Sequence, residues 1–182
     1  MRQTGFPFLL HTSALILVLM TVGALDLVAG QSHARTQRAS KAAICGNPTI
    51  VCKTSVTFQP NDLAFRVPKN AVIIDTELFY AIILKSVPTK EEDCSVFVSE
   101  SERTAAQGLF RDHKVFTSRC ADPGEDNSGM LFYTNVDPKF RIMAVYGGTT
   151  PAESKRMLAA VKATGKFPGA NLRRMRTGFN GT

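Results

Sequence analysis

Residues 140–176 read FRIMAVYGGTTPAESKRMLAAVKATGKFPGANLRRMR, and the change of period along this stretch decides the fold. Residues 140–146 are mostly apolar and aromatic, and they lie between Asp137-Pro138 and Gly147-Gly148, the pattern of a strand held between turns. Thr150, Pro151 and Glu153 then mark a helix start. The threonine hydroxyl accepts from a free backbone N–H, the proline stands where no N–H is needed, and the glutamate closes a capping box. Ser154, Met157, Leu158 and Val161 recur at helical spacing, Lys155, Arg156 and Lys162 ride the outer face, and Gly165 ends the helix. Residues 171–176 return as a strand.

Working outward, residues 130–136 (MLFYTNV) and 114–118 read as strands, separated by the turn-rich ADPGEDNSG. Ser99 with Glu102 three residues on is a second capping box, and Ala106, Leu109 and Phe110 form the inward stripe of its helix. Residues 78–84 (LFYAIIL) are continuously apolar and short enough for a buried central strand. The order is therefore strand, helix, strand, extra strand, strand, helix, strand. Without the extra strand this is an α+β, ferredoxin-like split βαβ arrangement, an antiparallel sheet with two helices on one face and the other face open. Ahead of it, Val56, Phe58, Leu63, Phe65 and Val67 alternate with polar neighbours until Pro68, which predicts an N-terminal extension of short strands and loops. The expected organisation is a signal peptide at 1–34, a flexible linker at 35–44, the extension at 45–77, the α+β domain at 78–177 and a tail at 178–182.

Export rests on Arg2 ahead of the apolar run 14–25 (ALILVLMTVGAL), which is about 12 residues long where a spanning helix needs about 20. Ser32-His33-Ala34 offers a cleavage site, leaving about 148 residues in a periplasmic or extracellular protein; the alternative is an uncleaved anchor over residues 6–25. All four cysteines follow the apolar run, and an even number in an exported chain favours disulfides. Of the three possible pairings, the expected one joins Cys45 to Cys52 around GNP and Cys94 to Cys120. No C-x-x-C occurs and His113 is the single histidine after the signal, so neither a metal nor another cofactor is expected.

Catalysis is not expected either. There is no G-x-S-x-G elbow and no H-E-x-x-H; Glu91, Glu92 and Asp93 lie in a turn, and Gly147-Gly148 lacks a phosphate-loop lysine. Charge is asymmetric: residues 35–138 hold 12 basic and 13 acidic side chains, whereas residues 139–182 hold 9 basic and only Glu153. Outside the cytoplasm such a basic quarter suits wall polymer rather than nucleic acid. With the signal removed no membrane association is expected. A sheet face free of helices suits a polymer, with Tyr133 and Tyr146 as stacking surfaces and Lys85, Lys114 and Arg173 as hydrogen-bond donors.

Residues 80–87 (YAIILKSV), and more closely 140–176, resemble the sporulation-related repeat, or SPOR, domain of bacterial envelope proteins. The likeness lies in a strand, a small-residue turn, a helix of the form A-E-x-x-x-x-L-x-x-V-K-x-x-G, and F-P-G-A leading into the last strand, over roughly residues 78–175. The resemblance implies non-catalytic binding of peptidoglycan glycan strands by the open sheet face. Carried onto this chain it implicates Ile83, Lys85 and Ser86, with Ser86 matching the family serine and Ile83 and Lys85 standing where V-Q-x-G-S-F has glutamine and glycine. The other reading is a module that docks envelope proteins through the same face.

Overall fold

The computed structural model describes residues 41–71, 73–90, 93–119 and 130–180. The signal peptide, most of the linker, Glu91, Glu92, Cys120 and the ADPGEDNSG turn beyond it lie outside the described residues. In chain order the elements are β1 (Ile73–Asp75), β2 (Phe79–Pro88), α1 (Glu100–Leu109), β3 (Val115–Thr117), β4 (Met130–Tyr133), β5 (Phe140–Tyr146), α2 (Pro151–Ala163), β6 (Asn171–Met175) and β7 (Thr177–Asn180). Four of the strands pair in the order β3-β5-β2-β6, every neighbouring pair antiparallel. With β2, α1, β3, β5, α2 and β6 taken in turn, this is the split βαβ topology of the ferredoxin-like fold.

Both helix starts form, and the reciprocal box closes at α2. The Ser99 hydroxyl accepts from the Glu102 N–H, and at α2 the Thr150 hydroxyl and the Glu153 carboxylate each accept from the other's backbone N–H. Gly148 turns the chain into α2 at φ +92°, where a side chain would be strained and a Cβ would collide with Glu153. The helices cover one face of the sheet. Val98, Ala106 and Phe110 from the α1 side and Met157 and Val161 from α2 bury Ile82, Leu84, Val115, Met143 and Val145.

The opposite face is not open. Phe79, Ala81, Ile83, Phe116, Ile142 and Ala144 project from it into a second core closed by Leu63 of the N-terminal extension, with Ile44, Tyr133 and Tyr146 around it. Leu63, Phe79 and Phe116 are fully buried. This overturns the expected bare sheet, for a physical reason. The far-side strand residues are themselves apolar, and covering each large one is worth roughly 1.5–3 kcal/mol.

The ends of the domain differ as well. The expected linker is already structured at its last residues: Ala42 is buried and bridges Thr76, while Ile44 bridges Phe65. The expected tail begins instead with β7, which pairs with β1 and with β4, so the extra strand joins a separate three-stranded sheet, β1-β7-β4. Gly178 makes this possible, because a Cβ there would run into the ring of Phe132. Cys45 and Cys52 form a disulfide that closes the start of the extension. Cys94 is also disulfide-bonded, its expected partner Cys120 lying outside the described residues.

Candidate functional site

One irregularity of β2 governs where its side chains go. Its register with β5 shifts between Ile83 and Lys85: Ile83 faces Ala144, Lys85 faces Met143, and Leu84 is the extra residue. Such a bulge re-aims the strand. Leu84 and Lys85 both turn toward the helices, where Lys85 Nζ donates to Glu102 of α1 at 2.5 Å, and Ser86 falls on the far face beside Ile83. Strict alternation puts Lys85 with Ile83 instead, and a bulge leaves no mark in composition.

Beyond the area plugged by Leu63, the far face keeps a cleft of about 260 Å³. Ile83 and Ile142 form its floor, and Ser86 and the exposed ring of Phe140 stand at its side. The loop between β4 and β5 supplies Asn135, Val136 and Asp137, and β6 supplies Arg173. The loop is fixed to the β6–β7 segment: Thr134 N–H donates to Arg176 C=O at 2.9 Å, Arg176 N–H donates to the Thr134 hydroxyl at 2.8 Å, and Asn135 Nδ2 donates to Arg174 C=O at 3.2 Å. Asn135 sits at φ +60°, a left-handed conformation asparagine tolerates better than most residues. Arg173 Nη1 donates to the Asn135 carbonyl at 3.4 Å, which holds the guanidinium over the cleft and leaves its other donors free to turn outward.

Of the seven residues singled out from sequence, Ile83, Ser86 and Arg173 meet here. The other four are elsewhere. Lys85 is on the helix side. Lys114 Nζ donates to the Pro60 carbonyl at 2.6 Å, and its pKa is lowered by burial and by nearby Arg103. Tyr133 is half-buried, with its ring stacked on Phe116 at 5.1 Å and its hydroxyl enclosed as acceptor for the Leu63 N–H at 3.2 Å; burial and the carboxylate of Asp62 push its pKa upward. Tyr146 packs against Phe79 at 5.9 Å and leaves no room for a Cβ on Gly46, and burial, aided by Glu77 and Glu153, raises its pKa to about 12. Both tyrosines thus stack on the chain's own residues, which is the physical reason they are not open platforms for a sugar. Asn135, Asp137 and Phe140 were missed from sequence. Their only local signal is the Asn-Val-Asp-Pro turn, which reads as a connection rather than as a wall of a cleft.

His113 is anchored by Nδ1 to the Tyr146 carbonyl at 2.9 Å. Among the described residues no group of three His, Cys, Asp or Glu side chains can hold a metal ion, and no helix is long and apolar enough to cross a membrane. Comparison with protein-family models, with curated proteins and with solved structures found no match to this chain.

Proposed function

We propose that this chain is an exported, non-catalytic module of the SPOR kind that binds peptidoglycan glycan strands in the cell envelope, through the far-face cleft rather than across a whole bare sheet. The observation that carries the reading is the meeting of Ser86, Asn135, Asp137 and Arg173 with the ring of Phe140 above an apolar floor. Hydroxyl-rich ligands are held by such a mixture, because donors and acceptors take the sugar hydroxyls while an aromatic face takes the apolar side of the ring. The Cys45–Cys52 disulfide agrees with an oxidising compartment. The positive excess of residues 139–182 suits anionic wall groups.

The test is cosedimentation of the mature protein with purified sacculi, before and after an amidase removes the stem peptides. Sedimentation is expected to rise after stripping and to fall about tenfold in affinity in Arg173→Glu, the loss of a charged hydrogen bond. No sedimentation at low salt overturns the reading. In that case retention of an envelope protein by the wild type but not by Arg173→Glu favours the other use of the same cleft, protein docking.

A further inference from the structure

The bulge in β2 gives Lys85 to a second concavity, on the helix side of the sheet and so behind the glycan cleft. It lies between α1 and the loop that follows α2, with a volume of about 410 Å³, within the range of sites that take small organic ligands. Leu84, Met143 and Phe167 provide an apolar floor, and Leu109, 40% exposed, carries the apolar surface to the rim. Phe167 is held in place against Phe110 at 6.1 Å. Charge is confined to the rim, where Lys85, Lys166 and Glu102 stand. Lys85 is ion-paired with Glu102, so the single positive excess of the rim is carried by Lys166, and the long lysine stems can lie along an apolar ligand while their heads stay in water.

We propose that this groove binds a small amphiphile, its apolar chain on Leu84, Met143 and Phe167 and its single anionic head between Lys85 and Lys166. The volume fits a compact ligand, and the rim asks for a negative charge at one end only. The site does not depend on the glycan reading, since it opens on the other face of the sheet.

Calorimetric titration of the full mature protein with dodecanoate and with dodecanol, both below their micellar or solubility limits, tests it. Saturable binding of one dodecanoate is expected, with dodecanol weaker by about threefold to fivefold, the range of one exposed ion pair. Lys166→Glu should weaken dodecanoate by at least that factor and leave dodecanol unchanged. Ala105→Trp, at an exposed position of α1 beside the groove, should abolish binding of both while melting temperature and sacculus sedimentation stay as in the wild type. Absence of saturable heat, equal affinity for acid and alcohol, or full binding by a folded Ala105→Trp protein overturns the proposal. So does loss of sacculus sedimentation in Ala105→Trp, which would make the groove part of the glycan surface.

Discussion

The two faces of the four-stranded sheet are both buried, but by different kinds of partner. On the near face, α1 and α2 are the chain's own crossovers, from β2 to β3 and from β5 to β6, each passing over the one strand that lies between them in the sheet. On the far face, Leu63 and Ile44 come from the extension ahead of β2 and settle on Phe116, Ile142 and Ala144, some 50 to 100 residues further along. The first arrangement is built into the topology. The second is an addition that fills a surface the topology leaves bare, and it confines any ligand on that side to the cleft left beside β6.

The sharpest way to break this contrast is to remove the plug. Leu63→Ala leaves a void among Phe79, Phe116 and Tyr133, and by analogy with other buried leucines it should destabilise the protein by about 2–5 kcal/mol. Denaturant unfolding measures it. A loss near zero would mean that the extension rests on the sheet without supporting it.

A smaller effect is expected at Tyr133, whose hydroxyl is the acceptor for the Leu63 N–H. Tyr133→Phe leaves that buried donor without its partner, and about 1–3 kcal/mol should be lost. The same group gives a pH signature. Its folded pKa is raised, so folding favours the neutral phenol; the stabilisation is complete below the unfolded value of about 10 and is lost as the pH rises above it. Melting curves between neutral and strongly alkaline pH should show that decline in the wild type and a shallower one in Tyr133→Phe, with Tyr146 accounting for what remains.

The near face offers the smallest and most local perturbation. Thr150→Ala removes the hydroxyl cap of α2 and should cost about 1 kcal/mol, measured by thermal melting. Because the cap lies outside both cores, the loss should add to that of Leu63→Ala rather than depend on it.

These differences track what could be read in advance. Ser99, Glu102, Thr150, Pro151 and Glu153 announce their helices because a cap acts within one turn, and Met157 and Val161 announce the buried stripe because its period is local. The candidate site was legible only in part. Ile83, Ser86 and Arg173 share a cleft, but Lys85 left for the other face at a bulge, and Phe140, Asn135 and Asp137 joined because a loop folded back onto β6. Likewise Thr177–Asn180 looks like an end until β1 and β4 are present to pair with it.

The sequence by itself therefore determined the succession β2, α1, β3, β4, β5, α2, β6 and the closeness of Cys45 to Cys52, since each depends on residues a few positions apart. Only the tertiary structure decided which face Lys85 takes, that Leu63 covers the far side, and how much of that side stays open. Those outcomes depend on pairing and packing between segments distant in the chain, where any apolar surface of suitable shape can serve as partner and no local pattern names the one that does.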